Sequence, residues 1–165
     1  MLIRRELPSD IPAIDAVHLG AFETSVEADL VNALRADEGW LPALSLVAEA
    51  AGSVVGHVVC TRGHVDAVPA LGLGPLGVLP SEQRSGVGTA LMHAVLAAAD
   101  ALDEPIVVLL GHKDYYPRFG FAPAEAQGIL PPDPAWGDHF QARPLTAYTP
   151  SLRGSFAYAT PFTKL

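Results

Sequence analysis

The stretch Leu76-Gly-Val-Leu-Pro-Ser-Glu-Gln-Arg-Ser-Gly-Val-Gly-Thr89 decides how the chain is read. The apolar run from Leu71 to Leu79 has the character of a strand, and it stops at Pro80, which has no N–H to give to a ladder. Gln83 to Gly88 is a glycine-rich turn, and Thr89-Ala-Leu-Met-His-Ala-Val-Leu-Ala-Ala-Ala-Asp100 follows as a helix. A turn of this kind exposes backbone N–H groups that have no intrahelical acceptor, at the positive end of the helix dipole. Such donors suit phosphate. Gly86 and Gly88 remove the side chains that would hold a phosphate away from the backbone. The segment predicts an anion site.

Two other glycine motifs compete with this reading. Gly72-Leu-Gly-Pro-Leu-Gly77 fits GxGxxG, but it lies before a strand end and opens no helix, so the context of a dinucleotide fold is missing. A Walker loop needs Lys after its last glycine, and no Lys lies near this turn. What remains is Gln83-x-x-Gly86-x-Gly88 directly after Val78-Leu-Pro80, which taken alone also fits an ordinary strand-to-helix turn. It resembles the coenzyme A signature (Q/R-x-x-G-x-G/A) of the Gcn5-related N-acetyltransferases, the GNAT superfamily.

A second resemblance lies some way downstream. Tyr115-Tyr-Pro-Arg-Phe-Gly-Phe121 looks like the superfamily's other signature, an aromatic placed ahead of a Gly-Phe pair. Leu73-Gly-Pro-Leu-Gly-Val-Leu-Pro80 with Gly111-His-Lys-Asp-Tyr-Tyr-Pro-Arg-Phe-Gly-Phe121 is similar to a bacterial subgroup of predicted N-acetyltransferases. The likeness extends to Phe22, Glu27–Leu34, Phe140-Gln-Ala-Arg143 and Pro161-Phe162, which is almost the whole chain.

The resemblance implies an α/β (α+β) GNAT fold: a mixed sheet of six or seven strands, flanked by helices, with two central parallel strands splayed into a V. Here those strands are Leu71–Leu79 and Ile106–Leu110. A splay leaves backbone groups without partners, and the two amides of the pantetheine arm of coenzyme A can fill the gap as an added strand would. By the resemblance, Leu76, Gly77 and Val78 hold pantetheine, with the backbone of Leu76 and Val78 making the contacts. Gln83, Arg84, Ser85, Gly86, Val87, Gly88 and Thr89 wrap the pyrophosphate, so acetyl-CoA is the expected cofactor. Tyr116 takes the place of the family's general-acid tyrosine, protonating the departing thiolate, with Tyr115 the less favoured neighbour. A backbone N–H near Val78 is the expected oxyanion donor. Many members carry Asn where this chain has Gly111-His112, which leaves the role of His112 open.

Composition sets the frame. The 165 residues fit one domain with a full core, half of them are apolar and 17% are charged, so disorder is not expected. No apolar run approaches the roughly 20 residues of a membrane span. Met-Leu-Ile-Arg-Arg-Glu6 lacks the basic-then-apolar order of a signal peptide, so a cytoplasmic protein is expected. A net charge of −8 argues against general binding to nucleic acid or anionic membranes. Cys60, the lone cysteine, sits in a Val-rich strand and reads as a buried, inert thiol. The scattered His residues show no zinc spacing, so no metal is expected.

In chain order, Leu2–Glu6 reads as a strand, and Pro8-Ser-Asp10 opens a helix with Ile11, Ile14, Val17 and His18 near one face. His18 reads as a surface or boundary residue. A second helix carries Val26, Leu30, Val31 and Leu34, capped by Thr24 or Ser25. Glu23 and Glu27 are either first-turn acids favoured by the dipole or carboxylates facing an amine. Leu44–Ala50 and Ser53–Thr61 form a hairpin about Ala51-Gly52, with Gly56 marking a bulge or a close backbone approach. Thr61–Pro69 reads as a connecting loop. The long helix presents Val87, Ala90, Leu91, Ala94, Val95, Ala98 and Leu102 as its apolar face, leaving His93 in solvent. Glu104–Leu110 suits a central strand buried on both faces, and Phe140–Leu145 and Ser155–Thr160 read as the last strands.

The expected activity is N-acetyl transfer to a small-molecule or peptide amine in a ternary complex. The rival is a non-catalytic acyl-CoA-binding module on the same fold. Glu27, His57, His64 and His112 are all candidates for the general base. Ala21–Glu27, Arg62–Pro69 and Gln127–His139 are expected to shape the acceptor site, and a homodimer is a further possibility.

Overall fold

The computed structural model describes all residues from Met1 to Leu165. The strands are β1 (Leu2–Arg5), β2 (Ser45–Ala50), β3 (Ser53–Val65), β4 (Val68–Val78) and β5 (Ile106–Leu110). Two short bridges, β6 (Ala122–Pro123) and β7 (Ile129–Leu130), precede β8 (Phe140–Pro144) and β9 (Gly154–Ala157). The helices are α1 (Ile11–Ala21), α2 (Val26–Arg35) and α3 (Val87–Ala101). The sheet runs β1-β2-β3-β4-β5-β8-β6, with β9 on the far end of β3 and β7 on β9. This is the mixed, mostly antiparallel sheet flanked by helices that the resemblance implies.

Alternation along the strands sorts side chains into two layers. Leu46 and Ala48 of β2 face α3 and pack with Leu91, Met92, Val95 and Ala99, whereas Val47 between them packs with Ile14 of α1 and Val31 of α2. On β5, Val107 and Leu109 join the α3 layer while Ile106 and Val108 join Phe140 and Phe156 on the other side. The run is buried on both faces, as its continuous apolar character predicts. Gly56 lets α3 approach: a Cβ there would lie 2.9 Å from both Leu91 Cδ1 and Val87 Cγ1.

Several expectations change. Thr61–Pro69 is no loop, because β3 runs on to Val65 and pairs with β4 through a two-residue turn, Val65↔Val68 and His64↔Pro69. Pro69 precedes the pairing of β4 with β5, which begins at Leu71, so its missing N–H removes no bond on that side. The apolar face of α3 is rotated from the expected one. Met92, Leu96 and Ala99 are buried with Val87, Leu91 and Val95, whereas Leu102, at the C-cap beyond the last helical residue, is 48% exposed. No side-chain hydroxyl of Ser25 caps α2, although Thr24 Oγ1 accepts from the Val26 amide at 3.4 Å. His18 is fully buried, contrary to the surface reading.

Candidate active site

The parallel pairing of β4 and β5 is confined to Leu71↔Val107 and Gly72↔Val108, and beyond it the strands part. β3 and β4 meanwhile lose register between Cys60↔Leu73 and Val58↔Leu76, where Gly74 and Pro75 oppose Val59 alone, a β-bulge. The bulge bends β4 away from β5 at the point where pairing ends. The Leu79 amide donates to Val55 O at 2.9 Å. By the alternation of an antiparallel ladder, Gly77↔His57 is then a bonded pair. Val78↔Gly56 and Leu76↔Val58 are non-bonded pairs, so the N–H and C=O groups of Leu76 and Val78 point away from β3, into the opening.

The turn after β4 has the predicted character. Arg84 has φ +62° and Gly86 φ +91°, and the first bond of α3 is Ala90 N–H to Gly86 O at 3.0 Å. The amides of Arg84, Ser85, Gly86, Val87, Gly88 and Thr89 reach no acceptor in the protein. Consecutive free amides with positive φ in alternation make a concave nest for an anion. Arg84, Gly86, Gly88 and Thr89 line a cavity of about 570 Å³ with Leu76, Gly77, Val78, Gln83, Tyr115 and Arg118. The side chains of Ser85 and Val87 turn elsewhere, Ser85 Oγ–H donating to Glu82 O and Val87 packing in the core. Gln83 has a definite task, donating from Nε2 to Val78 O at 3.0 Å and tying the turn to the strand end.

Tyr115 and Tyr116 divide between two cavities. Tyr115 lies at the nest, where a Cβ on Gly88 would come 3.2 Å from its hydroxyl, and the Arg118 guanidinium covers its ring at 4.5 Å. Tyr116 faces a second cavity of about 790 Å³, bounded by Leu73–Leu76 of β4 and by Leu109–His112 at the end of β5. Burial, then the neighbouring Tyr115, pushes the Tyr116 phenol up to about 12, so it stays protonated at neutral pH. The two cavities share Phe22 and Leu76 as wall residues, so they adjoin at the splay.

Arg118 and Arg84 lie at the nest, but Arg62 does not: it forms a two-point pair with Glu104 at 2.6 and 2.9 Å. Of the base candidates, His112 and Glu27 line the second cavity, whereas His57 is buried beneath α1 and His64 lies in the distal hairpin. The Arg62–Pro69 segment takes no part in the lining. Tyr158, Phe162 and Thr163 do, and sequence reasoning missed them because local pattern alone does not show that the chain end folds back over the cleft. Cys60 is buried, and burial raises its thiol pKa, so it is inert as expected.

Sequence reasoning also missed a buried polar chain. Ser45 Oγ–H donates to Glu6 Oε1, and Arg35 Nε donates to Glu6 Oε2 at 2.8 Å. With the Ser45 proton so committed, His57 Nε2–H donates to Ser45 Oγ at 2.8 Å and its Nδ1 accepts from His18 Nε2–H at 2.8 Å. The series ends on His18 Nδ1, set against β4 so closely that a Cβ at Gly77 would fall 2.7 Å from it. Burial raises the Glu6 pKa, but hydrogen bonds from His57, Arg35 and Ser45 outweigh it and hold the carboxyl at about 2. Burial, then the charge of His57 and of Arg35, lowers His18 to about 3, and burial likewise lowers His57.

A family model, acetyltransferase (GNAT) domain, matches residues 42–123. The N-acetyltransferase YjhQ of Escherichia coli, itself uncharacterized, is 38% identical over 161 residues, covering 93% of this chain and 89% of that protein. The chain belongs to the GNAT acetyltransferase family. The crystal structure of a second E. coli relative, the GNAT family N-acetyltransferase YhbS in complex with CoA, superposes with a TM-score of 0.91 at 32% identity, covering 98% of this chain and 91% of that one. A GNAT acetyltransferase from Brucella melitensis, solved with acetyl-CoA, gives a TM-score of 0.80 at 32% identity, with coverage of 98% and 97%. No helix of this GNAT protein is long and apolar enough to cross a membrane.

Proposed function

We propose that the protein is an acetyl-CoA-dependent N-acetyltransferase that moves an acetyl group directly from the thioester to a primary amine in a ternary complex. The observation that carries this is the continuity of unpaired backbone groups: Leu76 N–H and C=O and Val78 N–H along β4, then the amides of Arg84 to Thr89 around the turn. That series fits a ligand with amides in its arm and phosphates at its end. It is supported by the CoA and acetyl-CoA complexes of the two relatives.

Acetyl-CoA supplies an acyl group activated as a thioester. The Val78 N–H faces the carbonyl oxygen as negative charge develops on it. As the amine nitrogen bonds to the carbonyl carbon, the C–S bond breaks and Tyr116 O–H gives its proton to the departing sulfur. Its raised pKa keeps that proton available at neutral pH. The amine, near pKa 10.4 when free in water, sheds one proton to solvent before it attacks, and the proton it loses as the amide forms restores the Tyr116 phenol. The reading takes residues 1–165 as one domain acting in the cytoplasm, where acetyl-CoA is supplied, and light scattering distinguishes a monomer from a homodimer.

The test is a calorimetric titration with acetyl-CoA, ATP and NAD in parallel. Saturable one-to-one binding of acetyl-CoA alone, with CoA thiol release once an amine is added, is expected. Binding without thiol release in any amine screen would favour the non-catalytic module, and no binding to folded protein would leave the nest a structural turn.

A further inference from the structure

We propose, resting on the acetyl-transfer reading, that the acceptor is a small primary amine carried on an apolar, ring-sized body, and that the Glu27 carboxylate binds its ammonium. The second cavity is walled mainly by apolar and aromatic groups, among them Phe22, Leu30, Leu73, Trp136, Tyr158 and Phe162. Glu27, in the first turn of α2, is the one acidic side chain in that lining, and no Lys or Arg shares it. Its Oε2 is removed from solvent and receives no hydrogen bond in the protein. The other buried carboxylates are fully engaged: Glu6 by Ser45 and Arg35, Asp10 by Arg4 at 2.7 and 3.0 Å and by the Leu7 amide at 2.6 Å.

A carboxylate oxygen withdrawn from water without a donor is destabilised, and a cation arriving in the cavity relieves it. Counting charges narrows the cation. A polyamine or an aminoglycoside brings several ammonium groups, and after the first is paired the rest would lie against Leu30, Trp136 and Phe162 with no second acidic side chain to meet them. An amino acid brings a carboxylate, which finds no Lys or Arg in the lining. A peptide brings a run of amides, for which the wall offers few polar side chains. A single ammonium on an apolar body satisfies Glu27, and the aromatic rings fit the remainder by contact and by cation–π attraction. Tyr116 and the splayed end of β4 border the same cavity, so an amine held there lies beside the site of acyl delivery.

The test uses the whole chain with 2-phenylethylamine, spermidine, phenylalanine and a Phe-Gly-Gly-Gly peptide as acceptors, read by CoA thiol release. We expect kcat/KM for 2-phenylethylamine to exceed that of each other probe by about tenfold or more. Glu27→Gln should lower that value about tenfold, chiefly through KM. Acetyl-CoA affinity and Tm should be unchanged. With CoA bound, Trp136 fluorescence should report weakened 2-phenylethylamine binding in E27Q, while the neutral 2-phenylethanol binds as it does to the wild type. The proposal is overturned if spermidine, phenylalanine or the peptide is preferred. It is also overturned if E27Q weakens amine and alcohol alike, or if acetyl-CoA binds and 2-phenylethylamine is not acetylated. Should E27Q fail to fold, the wild-type comparison of probes still decides. Failure of acetyl-CoA itself to bind would instead remove the acetyl-transfer reading, and this inference with it.

Discussion

Beneath α1, Glu6, Ser45, His57 and His18 pass hydrogen bonds in series, and almost every buried polar atom there has a partner. At the end of β4 the arrangement is the reverse: the amides of Arg84 to Thr89, the outward groups of Leu76 and the Val78 N–H are left without one. Both sets border the same sheet, and both depart from an apolar core. The difference lies in what completes them. A buried network whose members bond one another in series joins α1, α2 and the strands in one arrangement, and it is worth more satisfied than partly satisfied. A row of donors that nothing in the protein accepts is a template for a ligand.

The contrast can be broken most sharply at Tyr116. Tyr116→Phe keeps the ring in place over Gly111 and removes the phenolic proton that faces the acceptor cavity beside the splayed end of β4. We expect kcat to fall about 100-fold, the low end for general acid catalysis. Acetyl-CoA affinity should stay within about twofold of the wild type, on the view that the hydroxyl acts only in the transition state. Equal loss in kcat and in affinity would move Tyr116 from chemistry to packing.

The buried network makes the next effect, on stability. His18, at about 3 when folded, stays neutral while an unfolded His, near 6.5, takes up a proton. His57 is lowered in the same direction. The unfolded chain therefore binds more protons below pH 6.5, and folding stability falls as pH drops from 6.5 toward 3. The slope is about 1.4 kcal/mol per pH unit for each histidine. Glu6 adds a further loss as pH falls from 4.5 toward 2, because its folded carboxyl is held at about 2. Urea unfolding at pH 7, 6 and 5 should show this decline, and stability constant across that range would mean that the histidines are not buried neutral.

The open template gives the smallest effect. Gly86 has φ +91° and nothing within 4 Å of where a Cβ would stand, so Gly86→Val meets no wall of the protein. It strains the turn by about 1–2 kcal/mol and puts a branched side chain where the phosphates approach. We expect the Kd for acetyl-CoA to rise about tenfold, as a lost contact of about 1.4 kcal/mol would give. A folded variant with unaltered Kd would move the phosphates away from this turn.

Much of this molecule was legible locally. The Leu76–Thr89 stretch, the hairpin at Ala51-Gly52 and the doubly buried run at Ile106–Leu110 follow from turn chemistry, period-2 alternation and helix-start rules, each acting over a few residues. Where local signals conflicted, tertiary pairing prevailed. Thr61–Pro69 is polar and proline-containing, yet it is strand because β3 and β4 continue each other's ladder. His18 sits at a helical position that would suit a surface, and it is buried because His57, from another strand, offers an acceptor that no reading of α1 alone can supply. Glu27 illustrates the same limit from the functional side. Its place in a first helical turn explains it adequately by sequence, and only the cavity assembled from α2, β4, β5 and the chain end shows its oxygen withdrawn from water without a partner. The sequence by itself determined the elements, the nest and the family, because backbone donors and turn geometry are set by neighbours in the chain. Which polar groups are closed off and which are left for a ligand was decided by tertiary structure, because a hydrogen bond between residues 39 apart exists only once the chain has folded.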